Sequence, residues 1–174
     1  MSQPQASFRR ATRSKVPLKV LVTGVSGAGK TFGALRLAFG ISPFDEKVGE
    51  KVFFIDSENG SGELYSGNFP PYAYLRLDPP YRPDKYVGAL LTAVKAGAEV
   101  VVLDSMSHAW KFILDYKDRL DQQPRSNSFT NWGKVKPLFD ELKTALLDSP
   151  VHIIACTRSK SEYVQTKEND KTVV

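Results

Sequence analysis

Gly24-Val25-Ser26-Gly27-Ala28-Gly29-Lys30-Thr31 carries two glycines five residues apart, followed at once by a lysine and a hydroxyl residue. That is the P-loop pattern at every fixed position. Each residue type has a physical task. The glycines let the backbone curl so that successive N–H groups point inward at phosphate oxygens. A helix starting at the end of the loop adds its positive N-terminal pole. Lys30 can reach the β- and γ-phosphates, and the Thr31 hydroxyl can ligate Mg²⁺. Phe32 follows directly and belongs to the same cofactor-binding stretch.

The flanks agree with the motif. Leu18 to Thr23 (LKVLVT) is a short apolar run that ends at a glycine and reads as a buried central strand. A helix follows from about Gly29 to Phe39, with Gly40 expected to stop it. Val52 to Ile55 is a second strand, and Tyr72 to Leu77, hemmed in by prolines, reads as an edge strand. Asp84 is a candidate cap for a helix reaching Ala96. Val100 to Leu103 is a third buried strand. Trp110, Ile113, Tyr116 and Leu120 suggest a helix, Gln122 to Asn131 a polar loop, and Trp132, Val135, Phe139, Leu142 and Leu146 a second amphipathic helix. Val151 to Thr157 is a fourth buried strand, and Glu162 to Val174 resembles a hairpin around Glu168-Asn169-Asp170. Alternating strands and helices predict an α/β fold, a mostly parallel sheet with helices on both faces.

Three acidic residues fall at strand tips, where open parallel sheets bind their ligands. Asp104 closes the run Val100 to Leu103 and would face the Mg²⁺ held by Thr31. Asp56 and Glu58 close the second strand. Hydrolysis needs a group to orient or deprotonate the attacking water, and Glu58 is the candidate; Asp56, nearer the strand, is expected to bond loop amides. Lys30, Glu58 and Asp104 thus form the expected catalytic set. Arg158 and Lys160 follow the fourth strand as a possible sensor of the γ-phosphate. His108 reads as a helix-start histidine with no catalytic task.

Composition limits the alternatives. The 174 residues are 41% hydrophobic and 25% charged, ordinary for one globular domain. One Cys and two His exclude a disulfide framework and a thiolate or histidine metal site. No apolar run approaches a membrane span, and the N-terminus lacks the apolar core of a signal peptide. Residues 1–17 read as a flexible basic tail with Arg9, Arg10, Arg13 and Lys15, and residues 18–174 as the folded domain, its C-terminal end expected to be incomplete. The net charge of +5 permits a polyanionic partner.

Phe54 to Glu58, Val101 to Ser105 and Ile153 to Lys160 resemble, in order, three core motifs of RecA-type recombinases. More closely, Asp56-Ser57-Glu58-Asn59-Gly60-Ser61-Gly62-Glu63-Leu64-Tyr65 and Asp104-Ser105-Met106-Ser107-His108-Ala109-Trp110 are similar to phage-encoded RecA-like AAA ATPases that assist single-strand annealing. The resemblance covers about residues 18–174. It implies a RecA-like core, ATP and Mg²⁺ as cofactors, Glu58 as catalytic carboxylate, and a cytoplasmic homo-oligomer, in the host cytoplasm if phage-encoded. It further implies single-stranded DNA as partner, with a single-strand-binding protein as a second candidate. Two DNA-facing loops would fall at about Gln122 to Lys134 and Glu162 to Thr172. The first offers Arg125, Phe129 and Lys134, cations and a ring that could follow a phosphate backbone and stack on bases. RecA proteins carry an amide side chain where Ala155-Cys156 stand here. Two other classes stay open on the residues alone: a P-loop nucleotide or small-molecule kinase, and a non-hydrolysing nucleotide-dependent assembly module.

Overall fold

The computed structural model describes residues 10, 16–46, 50–159, 166–168 and 171–173. Five parallel strands, β1 (Lys19–Gly24), β2 (Val52–Asp56), β3 (Ala73–Arg76), β4 (Val100–Asp104) and β5 (His152–Arg158), form one sheet in the order β1-β5-β4-β2-β3. The helices are α1 (Lys30–Ile41), α2 (Pro83–Lys95), α3 (Ser107–Asp121) and α4 (Ser128–Asp148). A separate antiparallel pair, β6 (Thr166–Glu168) and β7 (Lys171–Val173), matches the expected hairpin, although its turn residues Asn169 and Asp170 lie outside the described residues.

Side chains alternate between the two faces of the sheet, as the two-residue period of a strand requires. Val100, Val102, Ile154 and Cys156 pack with Ala34, Leu35 and Ala38 of α1. Val101, Leu103 and Ile153 pack with Tyr86 and Leu90 of α2 and with Leu142 and Leu146 of α4. β4 is buried at all five residues because it lies in the middle of the sheet with a helix layer on each side. α3 packs mainly along the first half of α4, where Trp110 stacks near Trp132 and meets Phe139 edge-on.

Several expectations are corrected here. β1 is not a buried central strand: among the described residues it is an edge strand paired only with β5, and Leu21 is 63% exposed. Its apolar composition reflects one covered face. Gly40 does not stop α1, which runs on to Ile41 with Ser42 as its C-cap; the neighbouring ring of Phe39 stacks on Phe69, and such packing outweighs the ~1 kcal/mol that glycine costs a helix. Asp84 lies within the first turn of α2, whose N-cap is Arg82 with Pro83 as the first helical residue. The loop from Gln122 is shorter than expected: Asn127 caps α4, its Oδ1 accepting from the amides of Phe129 and Thr130.

Leu142 is fully buried between α4, α2 and the sheet. Leu142→Ala is expected to lower the unfolding free energy by about 2–5 kcal/mol, read from the urea midpoint at unchanged m-value.

Candidate nucleotide site

The loop between β1 and α1 is built by backbone conformation. Gly27 and Gly29 have φ of +78° and +75°, left-handed values that a residue with a Cβ rarely adopts. Gly29 is the N-cap of α1 and makes no side-chain cap. The first amides of the helix therefore face the loop, with no acidic residue in the first turn to compete with an anion. Lys30 curls over the loop and its Nζ donates to the Val25 carbonyl at 2.8 Å. Gly24, Ser26 and Ala28 complete the turn, and the Phe32 ring leans on Tyr65 and Phe69.

Thr31 and Asp104 meet. The Thr31 hydroxyl donates to Asp104 Oδ2 at 2.5 Å across a sequence separation of 73. Asp104 is buried. Burial raises its carboxyl pKa above the ordinary value; the Thr31 hydrogen bond opposes this, and the nearby Glu58 and Asp56 add to it. A hydroxyl and a carboxylate side by side at the end of a phosphate loop are the two protein ligands that Mg²⁺ commonly takes, its other positions going to phosphate and water. The donor set therefore fits this ion. Among the described residues no cluster of three or more His, Cys, Asp or Glu offers an all-protein metal cage.

Asp56 fills the structural place expected of it. Its Oδ1 accepts from the Glu58 amide at 2.5 Å, and its Oδ2 from the Gly62 amide at 2.8 Å and the Tyr74 hydroxyl at 3.0 Å. These bonds fold the chain after β2 back on itself and aim Glu58 toward β4. Gly62 is tightly enclosed: a Cβ there would come within 2.6 Å of the Phe54 ring.

Glu58 is clamped from both sides, with 11% of its side chain exposed. Its Oε1 accepts from Ser105 Oγ at 2.7 Å and lies 3.3 Å from His108 Nε2. Its Oε2 pairs with Arg158 Nη2. The Arg158 amide in turn donates to Ser107 Oγ at 2.8 Å. Ser105 and His108 are the neighbours that sequence patterns missed. The run Asp104-Ser105 placed Ser105 beside a strand tip, but only the strand register shows that this tip faces Glu58. Lys160 lies outside the described residues.

Cys156 is buried beside Asp104 in the strand register. Burial pushes its thiol up to about 12, which keeps it protonated near neutral pH. Arg125, Phe129 and Lys134 do not join the phosphate loop. They sit where α3 turns into α4, about 20 Å of helix from the start of α3. Phe129 is 88% exposed. Trp132 is not displayed: Lys117 lies over its ring and Trp110 stacks near it. A groove of about 1070 Å³ opens on the sheet face between α3 and α4, lined by Leu21, Trp110, Phe139, Leu147 and Ile153. Its end touches Ser26, His108 and Arg158, so it borders the phosphate loop without containing Lys30 or Asp104.

A parallel α/β sheet with this loop, and a hydroxyl at the start of its helix bonded to a carboxylate at a strand tip, defines a nucleotide-binding P-loop domain. The chain belongs to the AAA domain family, whose model matches residues 16–174; it is thus an AAA-type P-loop ATPase domain. No curated protein matches the chain. No helix among the described residues is long and apolar enough to cross a membrane.

The raised pKa of Asp104 fixes a sign. The folded carboxyl binds its proton more tightly than the unfolded one, so its contribution favours folding at low pH and is lost as pH rises through the folded pKa. Asp104→Asn, without nucleotide or metal, is therefore expected to raise Tm at pH 7–8. The gain should vanish below the ordinary carboxylate range. Differential scanning calorimetry across pH reads both. Gly62→Ala should cost about 1–3 kcal/mol through overpacking against Phe54, measured by urea unfolding.

Proposed function

We propose that the chain hydrolyses ATP with Mg²⁺ and couples the nucleotide to single-stranded DNA, acting in recombination or strand annealing. The observation that carries the hydrolytic reading is the Glu58 carboxylate at the tip of β2, beside the β4 tip whose Asp104 receives the Thr31 hydroxyl. The phosphate loop amides and Lys30 would hold the triphosphate. Thr31 and Asp104 would hold Mg²⁺, which would supply positive charge at the triphosphate. Glu58 takes a proton from water as the water oxygen bonds to the γ-phosphorus and the bond to the bridging oxygen of ADP breaks. Arg158 is an exposed cation one strand from Gly24 and can turn from Glu58 to the γ-phosphate. Lys160 would extend that basic end.

The DNA reading is supported by the α3–α4 turn. Phe129 is bare at the start of α4, Arg125 precedes it, and Lys134 follows five residues on. A ring for stacking and flanking cations suit a single strand. A homo-oligomer would set several such turns along one strand, and a single-strand-binding protein would be a natural second partner. The likeness to phage-encoded, cytoplasmic annealing ATPases supports the same assignment.

ATPase rate with and without single-stranded DNA tests this directly. Lys30→Ala should weaken ATP binding about 10–100-fold through loss of a charge-assisted hydrogen bond, measured by calorimetry. Glu58→Gln should keep ATP binding and lose about 10²–10⁴-fold in kcat. DNA should stimulate the wild-type rate, and Phe129→Ala should remove the stimulation. A rate indifferent to DNA, with no DNA binding at low salt, would overturn the DNA assignment; no binding heat from ATP with Mg²⁺ would overturn the whole.

A further inference from the structure

We infer that His108, with Ser105, is a positioning residue that fixes Oε1 of Glu58 and leaves Oε2 as the oxygen that receives the proton from water. The inference rests on the hydrolytic reading above. No motif assigns His108 a part in the chemistry, but the geometry around Glu58 divides its two oxygens sharply.

Oε1 faces groups that cannot leave. Ser105 Oγ donates to it at 2.7 Å and His108 Nε2 stands 3.3 Å away. Both belong to the short stretch from the β4 tip into α3, and that stretch is pinned. The Ser105 amide donates to Ser57 Oγ at 2.9 Å, Ser57 Oγ donates to the Ser105 carbonyl at 2.9 Å, and the Met106 amide donates to the Cys156 carbonyl at 2.9 Å. The His108 ring is held from behind by Tyr81, ring centres 4.8 Å apart. Such support by packing and neighbouring hydrogen bonds is what holds a reacting group within a fraction of an ångström.

Oε2 faces a group that can leave. Arg158 comes from the end of β5, its side chain is 47% exposed, and its strand partner is Gly24 at the mouth of the phosphate loop. When a triphosphate draws the guanidinium away, Oε2 is freed while Oε1 keeps its anchors. Without His108 and Ser105 the carboxylate would lose its aim at the moment Arg158 departs. His108 touches neither phosphate nor water in this scheme; it acts through Glu58.

The test compares His108→Ala, His108→Gln, Glu58→Gln and the double variant His108→Ala/Glu58→Gln in the full chain. Steady-state and single-turnover ATP hydrolysis, affinity for a fluorescent ATP analogue and Tm are measured for each. His108→Ala should lower kcat about tenfold with KM and analogue affinity unchanged, because positioning is felt only in the transition state. His108→Gln, which keeps a polar side chain of similar reach, should recover most of the rate. In the Glu58→Gln background His108→Ala should change nothing further. With only two histidines in the chain, imidazole ¹⁵N NMR adds an independent readout: the His108 signals should shift on Glu58→Gln and those of His152 should not.

Unchanged kcat in His108→Ala, beside an inactive Glu58→Gln, would overturn this inference alone. So would a parallel loss of Tm and nucleotide affinity without rescue by glutamine, or independent multiplying effects in the double variant. Full turnover in Glu58→Gln would overturn the hydrolytic assignment itself, and the inference with it.

Discussion

The site depends on the register of four parallel strands. β2, β4, β5 and β1 are aligned so that Asp56, Asp104, Cys156 and Val22 form one row across the sheet. Two residues further along come Glu58, Met106, Arg158 and Gly24. That offset brings an anion from β2 and a cation from β5 together over the tip of β4, with Gly24 starting the phosphate loop beside them. A shift of one residue in any pairing would turn these side chains to the opposite face. The buried alternation of Val100 to Leu103 between two helix layers opposes such a shift.

Three carboxylates within one small region would repel each other, and the protein treats each differently. Asp56 is satisfied by two amides and a phenol, and its charge serves to shape a loop. Asp104 is buried with a single hydroxyl donor, which leaves it short of partners and raises its pKa. A site with that deficit gains most from a cation arriving beside it. Glu58 carries a side-chain cation of its own. Asp56 is thus held by three donors and Asp104 by one, while Glu58 is paired with a cation.

Much of this was legible in the sequence because it is local. The glycine spacing, the strand before it, the apolar run ending in Asp104 and the loop-bonding place of Asp56 all follow from neighbouring residues. The position of β1 at an edge was not legible, since an apolar run covered on one face reads like one covered on both. The clamp on Glu58 was hidden for a different reason. Ser105 and His108 are 47 and 50 residues away in the chain, and only the Asp56–Asp104 pairing brings them to it. Gly40 and Asp84 followed local rules that tertiary packing and an adjacent proline overrode.

The lone thiol has a practical consequence. Cys156 lies in β5, between the edge strand that leads into the phosphate loop and the central strand that ends in Asp104. Fully enclosed and kept protonated, it resists alkylating reagents until these strands part. Its rate of capture by such a reagent therefore reports how often the middle of the sheet opens. The chain thus contains its own gauge of that opening, without any engineered label.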